Sequence, residues 1–201
     1  MSSGAKSIIR DMRARRIAGC AAAAALFLCI LPAFAGEERQ VRPVKPELLT
    51  KESFRQFGQV IEADEKVKPD YESAVVRYWS GIAKARIHEQ TEFGLIKVKA
   101  REHEVAEMER NSRSPKLVVS MKGDYYLVVA KSVAKVTRPE AARVRVFLAR
   151  ENQAVVINKG VWNTIPFVKG REGLFLVAYR EGTAKRDGKE RQLKNGEIIE
   201  F

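Results

Sequence analysis

The sequence predicts a mostly β protein that folds as one antiparallel β-barrel or sandwich. A series of short stretches is rich in Val, Ile, Leu, Phe and Tyr, and several of them alternate apolar and polar residues. Turn-forming segments such as residues 112–115 and 122–124, which contain Gly, Ser, Pro or Asp, separate these stretches. Many short strands at regular spacing, with few helical patterns between them, are typical of a single β domain.

The first 35 residues have the order of a secretory signal. A basic segment that ends at Arg16 is followed by an uncharged apolar run, Ile17 to Leu31, and then by the small residues Ala33 and Ala35. This run is shorter than the roughly 20 residues of a transmembrane helix. We therefore expect a signal peptide over residues 1–35 and an exported mature chain, periplasmic or extracellular, without stable membrane insertion. The alternative is a retained N-terminal anchor.

Removing this leader changes the charge and the redox chemistry of the chain. The leader holds five of the 37 Lys and Arg residues and one of the 25 Asp and Glu residues, so the net charge falls from +12 to +8. It also holds both cysteines, Cys20 and Cys29, which leaves the mature chain without a thiol nucleophile. The remaining cations are interleaved with carboxylates. This pattern favours a small anionic partner and argues against nucleic acid.

The mature chain is predicted to begin with an extended linker over residues 36–47, because this segment is polar and contains two prolines. A single domain over residues 48–201 follows. Its first element is a short helix with Thr50 as N-cap, phenylalanines on one face and Gly58 at its end.

The rest of the domain is predicted to consist of strands. The stretches with strand character are QVIE, AVVRYW, FGLIKVKA, KLVVSM, YYLVVAK, VRVFLA, AVVIN, LFLVAY and EIIEF. A brief helix is expected from Thr137, with Pro139 in its first turn. The charged, glycine-punctuated segment over residues 182–196 is expected to be a mobile loop.

The pattern of histidines and cysteines argues against metal and cofactor chemistry. The two histidines, His88 and His103, have no spacing typical of a metal site, and the mature chain has no cysteine. The sequence also lacks a G-x-S-x-G nucleophile motif and a glycine-rich phosphate loop. We therefore expect no metal and no cofactor.

Polar residues within the predicted strands are the first candidates for a site. Arg77 and Tyr78 lie in an apolar stretch, where an arginine either points to solvent or binds a carboxylate. Glu107 and Glu109 share one face if their segment is extended, and Arg110 follows them. The alternative for this segment is a solvent-facing edge with ordinary charge pairs.

A second group of candidates surrounds a predicted glycine turn. Asn158, Trp162 and Asn163 flank Gly160. Asparagine is a common turn residue, but its amide also binds polar ligands. Trp162 is either a core residue or one wall of a pocket.

Several stretches, in chain order, resemble the ureidoglycolate lyase family from about Leu48 to Arg180. They are LTKESFRQFGQVIE, RYW, EMERN, KLVVSMKGDYYLVVA, VRVFLARENQAVVINKGVW and LFLVAYR. The resemblance implies a cupin-type β-barrel, and it implies an enzyme that splits ureidoglycolate into glyoxylate and urea. Because barrels of this kind often dimerise, the resemblance also suggests a homodimer.

The chain differs from the family pattern at positions where the family has histidines. The residues at such positions are Trp79, Ala106, Asn111, Asn158, Asn163 and Thr164, and none of these side chains takes up or releases a proton near neutral pH. The resemblance makes Glu107 or Glu109 the catalytic base. The residues expected to bind the carboxylate and the urea group of the substrate are Arg77, Tyr78, Arg110, Asn158, Trp162 and Asn163. We expect them to meet in one cavity of the barrel.

Two functions follow from this pattern. One is an exported lyase that acts on ureidoglycolate or a related carbinolamine acid. The other is a non-catalytic exported binding protein for a small carboxylate or ureide. A third alternative, in which the charged residues 185–194 bind an anionic partner, depends on charge alone.

Overall fold

The computed structural model describes residues 40–201. Its helical elements are α1 (Lys51–Phe54), α2 (Thr183–Arg186) and two 3-10 helices, η1 (Ala141–Arg143) and η2 (Lys194–Gly196). Its strands are β1 (Val41–Pro43), β2 (Glu47–Leu48), β3 (Gly58–Ile61), β4 (Tyr71–Glu72), β5 (Arg77–Tyr78), β6 (Thr91–Lys99), β7 (Glu104–Val105), β8 (Glu107–Asn111), β9 (Lys116–Lys122), β10 (Tyr125–Ala130), β11 (Val144–Ala149), β12 (Ala154–Ile157), β13 (Trp162–Asn163), β14 (Phe167–Val168), β15 (Glu172–Arg180), β16 (Gly188–Gln192) and β17 (Ile198–Glu200).

Two large sheets form the body of the domain. The five-stranded sheet has the order β3-β12-β9-β15-β6 and is antiparallel throughout. The seven-stranded sheet has the order β16-β8-β13-β10-β11-β2, with β14 also paired to β10. A three-stranded sheet, β1-β17-β7, and the hairpin β4-β5 complete the architecture. The prediction of a mostly β, antiparallel sandwich is therefore confirmed.

The main core lies between the two large sheets. Alternating residues of β10, such as Tyr125 and Leu127, contact Phe175 and Val177 from β15. Phe54 of α1 closes this core, with its ring 5.4 Å from that of Phe147 on β11 and nearly perpendicular to it. Burial of these apolar side chains between the sheets is the main source of stability.

A second core covers the outer face of the seven-stranded sheet. Val128 of β10 and Trp162 of β13 pack there with Ile199 of β17. Since β10 is buried on both faces, its sequence is a continuous apolar run and does not alternate.

The start of the domain matches its predicted helix. Thr50 is the N-cap, and a capping box with Ser53 satisfies the first free amides of α1. Gly58 follows as the first residue of β3, where its backbone approaches β12 closely. A Cβ at this position would lie 1.9 Å from the carbonyl oxygen of Val156.

Two segments that were predicted to be irregular are ordered. The expected mobile loop over residues 182–196 contains α2, β16 and η2, and β16 pairs with β8 along its whole length. An edge strand can be entirely polar, as Gly188–Gln192 is, because main-chain pairing alone holds it. Within the predicted linker, Val41–Pro43 pairs in parallel with β17, so this part of the linker belongs to the folded domain.

Two other elements are shorter than predicted. The strand expected over AVVRYW is limited to Arg77–Tyr78, and the helix expected from Thr137 is the 3-10 turn Ala141–Arg143. The predicted signal peptide lies outside the described residues. Within residues 40–201, every helix is too short or too polar to cross a membrane.

Candidate active site

The ladder between β8 and β13 separates the predicted site residues by face. Glu109 pairs with Asn163, and Arg110 pairs with Trp162. Asn163 also pairs with Val129 of β10, whose side chain lies in the core between the large sheets. Since paired residues point to the same side of a sheet, Glu109 and Asn163 face the inside of the sandwich. Arg110 and Trp162 face the outside.

A buried polar cluster joins the two sheets at this point. Lys116, the first residue of β9, crosses from the five-stranded sheet and donates to the carboxylate of Glu109. Its Nζ also lies 3.3 Å from Oδ1 of Asn163. The Lys116 side chain is only 8% exposed and that of Glu109 is 29% exposed. We call Lys116, Glu109 and Asn163 the Lys116 cluster.

Asn163 is held firmly within this cluster. Its Nδ2 donates to the backbone oxygens of Glu109, at 3.3 Å, and of Val161, at 3.4 Å. The side-chain amide of Asn163 therefore donates to the backbone and accepts from Lys116, so its orientation is fixed from both ends. These contacts orient the Glu109 carboxylate.

Tyr179 of β15 extends the polar region. Burial raises the pKa of Tyr179, and the carboxylates of Glu92 and Glu109 raise it further. The phenol therefore stays protonated well above neutral pH, and its ring packs against the main core. Glu92 is fixed in turn, because its Oε2 accepts from the backbone amide of Gly182 at 2.9 Å.

Glu109 also lines a cleft of about 340 Å3 that connects the cluster to the surface. The cleft lies where β13 ends and the chain leaves the sheet before β14. Glu107 and Thr164 contribute to its wall. The Oγ1 of Thr164 is buried and has no hydrogen-bond partner within residues 40–201. A buried polar group without a partner is costly, so this hydroxyl is a local weak point in the wall of the cleft.

Arg101 provides the cleft with a cation. Its guanidinium lies 3.8 Å from the centre of the Phe167 ring, and its Nη2 donates to the backbone oxygen of Ile165 at 2.9 Å. Burial lowers the pKa of Arg101, but an arginine remains charged at neutral pH. Exposed carboxylates of Glu104 and Glu190 lie at the rim, so the cleft as a whole is acidic.

The structure does not bring Arg110 and Trp162 to this cleft. The Arg110 guanidinium stacks over Trp162 at 4.4 Å and donates to Oγ of Ser132 at 2.7 Å. Trp162 is 1% exposed and belongs to the outer core. Adjacent residues of a strand point to opposite faces, so the sequence neighbours Glu109 and Arg110 cannot share one cavity here.

The other predicted site residues lie elsewhere. Arg77 is in the hairpin β4-β5, where it forms ion pairs with Glu72, at 3.0 Å, and with Glu65. Tyr78 is 56% exposed in the same hairpin. Asn158 is exposed in the turn after β12 and does not line the Glu109 cleft. The expected single cavity therefore holds only Glu107, Glu109 and, behind the carboxylate, Asn163.

Sequence reasoning missed three residues of this site: Arg101, Lys116 and Tyr179. Thr164 was singled out only as a position where the family pattern has a histidine. In β9, Lys116, Val118 and Ser120 are buried on one face. The stretch KLVVSM does not alternate apolar and polar residues, and its other face carries Leu117, Val119 and Met121, so the sequence gives no signal that Lys116 points inward. Arg101 and Tyr179 carry no clear signal either.

The histidines do not form a metal site. His103 stacks on Phe201 with ring centres 4.8 Å apart and also contacts Tyr126, whereas His88 is exposed. Within the described part of the chain, no three His, Cys, Asp or Glu side chains are grouped so that they could hold a metal ion.

The ureidoglycolate lyase family model matches residues 41–200. Among characterised sequences, the chain is similar to the ureidoglycolate lyase of Pseudomonas paraeruginosa, with 26% identity over 148 residues. It is also similar to that of Pseudomonas aeruginosa, with 27% identity over 151 residues. Each match covers 71% of this chain and 86% of the relative.

The matches to solved structures are more distant. Oxalate decarboxylase of Bacillus subtilis matches with a TM-score of 0.36 and 12% identity, over 51% of this chain and 23% of that chain. The epimerase RmlC of Legionella pneumophila matches with a TM-score of 0.39 and 11% identity, over 62% and 69% of the two chains.

Proposed function

This chain belongs to the ureidoglycolate lyase family, and we propose that it cleaves ureidoglycolate, or a related small carbinolamine acid, into glyoxylate and urea. The observation that carries the proposal is the double role of Glu109. Its carboxylate is bound by Lys116 inside the sandwich, and it also lines the cleft that reaches the surface. A fixed carboxylate at the base of an accessible cleft is suited to proton transfer.

The reaction needs one proton to move between two atoms of the substrate. Glu109 accepts the proton of the carbinol hydroxyl, and the C–O bond becomes the carbonyl of glyoxylate as the C–N bond breaks. The electron pair of the C–N bond leaves with the urea nitrogen. Glu109 then returns the proton to that nitrogen, so the step balances without a co-reactant. Lys116 and Asn163 are positioning residues for the Glu109 carboxylate.

The cleft also provides groups to bind the substrate. Arg101 is the one cation among the described residues that line this acidic cleft, and the part of its guanidinium that does not bind Ile165 is the group for the substrate carboxylate. Thr164 lines the cleft beside this cation. Glu107 is a second carboxylate at the wall of the cleft and an alternative base.

A non-catalytic exported binding protein is the second candidate function. Asn163 stands where the family resemblance implies a histidine, and its amide donors are already used by backbone oxygens. An asparagine held in this way can orient a neighbour but cannot transfer a proton. A protein that retains the cleft without this histidine would bind a small carboxylate or ureide without cleaving it.

Glyoxylate release from ureidoglycolate by the purified full chain distinguishes these functions. We expect turnover, and we expect Glu109→Gln to lower kcat by about 100-fold or more, the usual range for a lost general base. Glu181→Gln, an exposed carboxylate in the turn after β15, is the matched control and should retain full activity.

Absence of release above background, while a reference lyase is active in the same assay, would overturn the lyase proposal. Thermal stabilisation of the inactive protein by ureidoglycolate or glyoxylate would then favour the binding protein. Equal activity of Glu109→Gln and wild type would show that another group is the base.

We also propose that the chain is exported and that it forms a homodimer. Export is supported by the order of the first 35 residues, and N-terminal sequencing of the protein from a periplasmic or culture fraction should begin at Gly36.

Dimerisation is supported by the edge strand β6, which exposes Phe93 and Leu95. Light scattering should give the mass of two chains, and Leu95→Lys should reduce it to one.

A further inference from the structure

A second cleft of about 440 Å3 lies on the outer face of the five-stranded sheet. Val156 lines it, whereas its neighbours Val155 and Ile157 on β12 point into the main core. The cleft is within the size range of small-molecule sites. It is separate from the Glu109 cleft, since the two clefts share no lining residue.

Cations from three separate segments line this outer cleft. Lys84 and Arg86 come from the chain between β5 and β6, Arg113 from the turn between β8 and β9, and Lys159 from the turn between β12 and β13. The lining contains no carboxylate. Within residues 40–201, none of the four side chains forms an ion pair. We call these four residues the basic cluster.

The backbones of these segments are anchored, so the four cations extend from fixed points around the cleft. The side chain of Gln59 exchanges two hydrogen bonds with the backbone of Lys84, at 2.8 and 3.0 Å. The backbone amide of Arg113 donates to Oδ2 of Asp187 at 2.8 Å. Asp187 is thus bound to the turn, and its carboxylate attracts the guanidinium of Arg113 through space without a direct ion pair.

The turn that carries Lys159 is anchored as well. The backbone amide of Asn158 donates to the oxygen of Phe57 at 2.8 Å, and that of Gly160 donates to the oxygen of Asn111 at 2.7 Å. Gly160 has a φ of +83°, a conformation that favours glycine. The tight turn directs Asn158 and Lys159 to the same cleft.

We propose that the basic cluster binds a small soluble polyanion that carries at least two carboxylate or phosphate groups. Four cations held close together repel one another, and an anion between them removes this repulsion. The two guanidinium groups suit carboxylate and phosphate oxygens, and the Asn158 amide adds a hydrogen-bond donor. This site does not depend on the proposed lyase function, because it lies on the other sheet.

Titration calorimetry of the full chain with citrate, pyrophosphate and acetate tests this proposal. We expect citrate or pyrophosphate to bind in the cleft, acetate to bind far more weakly, and added salt to weaken all binding. The two polyanions distinguish a carboxylate ligand from a phosphate ligand. The double variant Arg113→Glu with Lys159→Glu should lower the affinity for the tighter-binding polyanion by about tenfold or more.

The matched control is Lys68→Glu with Lys131→Glu, which makes the same change in net charge at exposed cations outside the cleft. This control should bind the polyanion nearly as tightly as wild type. Equal weakening by both double variants would show an effect of net charge alone and would overturn the site. Binding of neither polyanion, or binding only to vesicles of anionic lipid, would also overturn it. Circular dichroism of each variant verifies that the fold is retained.

Discussion

The two faces of the β8–β13 ladder show how one step along a strand changes the role of a residue. On the inner face, Glu109 and Asn163 form a polar cluster with Lys116. On the outer face, Arg110 and Trp162 stack within an apolar core. Glu109 and Arg110 are adjacent in β8, and Trp162 and Asn163 are adjacent in β13, yet the members of each adjacent pair lie on opposite faces. The sheet thus places Glu109 and Asn163 in a polar cluster beside a cleft, and Arg110 and Trp162 in an apolar core.

The largest expected effect is on the outer face. Trp162→Ala removes a large, fully buried side chain and should lower the free energy of unfolding by about 4 kcal/mol. Chemical denaturation measures this loss, and Val75→Ala, at an 89% exposed position, should cost less than about 0.5 kcal/mol. The folded fraction of Trp162→Ala should retain wild-type kcat. A strong loss of kcat in folded protein would place Trp162 in the site and would break the comparison.

The inner face should respond differently, because its stability depends on charge pairing. Lys116→Met leaves the Glu109 carboxylate without its cation and should cost about 2 kcal/mol, less than for a fully buried pair because Glu109 is partly exposed. Removing both charges, in Lys116→Met with Glu109→Met, should cost less than the single change. A double variant that is less stable than Lys116→Met would show that the carboxylate has other partners.

Hydrogen bonds to Asp187 hold the turn that follows β8, and their contribution to stability should depend on pH. Burial opposes its ionised form, but hydrogen bonds from the Ser112 hydroxyl and the Arg113 amide outweigh this effect and lower the pKa of Asp187. Its stabilising contribution is therefore present above the unfolded pKa of about 4 and is lost as the pH falls through the lower folded pKa.

At pH 7, Asp187→Asn should reduce the free energy of unfolding by about 1.5 kcal/mol. This difference from wild type should diminish below about pH 4, as measured by urea denaturation over a series of pH values. A difference that stays constant down to pH 2 would mean that the ionised carboxylate is not its source.

The smallest expected effect is at Arg110. Arg110→Ala removes the stacking on Trp162 and the hydrogen bond to Ser132, so it should cost about 1 kcal/mol. The KM for ureidoglycolate should not change. A KM increase of more than about tenfold would restore Arg110 to the substrate site and would contradict the assignment by face.

The fold could be predicted largely because its core strands carry their own pattern. The apolar runs that became β10 and β11, and the N-cap at Thr50, are local signals that the sheets preserve. β16 could not be predicted in this way, because Gly188–Gln192 is polar and is a strand only through pairing with β8. The cluster's location could not be predicted either. The location of the cluster depends on which strands pair with β8 and pack against it, and a single sequence does not reveal these long-range contacts.

Within the site, the residue types were easier to predict than their grouping. Glu109 was recognised as a carboxylate on an extended segment, and this is where the structure places it, facing inward. Arg77 was grouped with it because both lie in family-like motifs. Its guanidinium is instead committed to Glu65 and Glu72 in a separate hairpin, a local compensation that strand patterns do not reveal.

The parallel pairing of β1 with β17 bears on how this domain folds. Val41 is hydrogen-bonded opposite Ile198, so one of the first described strands finds its partner among the last. During synthesis, β1 must wait until nearly the whole domain has been made, and contacts of such long range are slow to form. A chain that closes last at its two ends remains open during synthesis. Completion of the fold is therefore delayed until residues 198–200 have been synthesised.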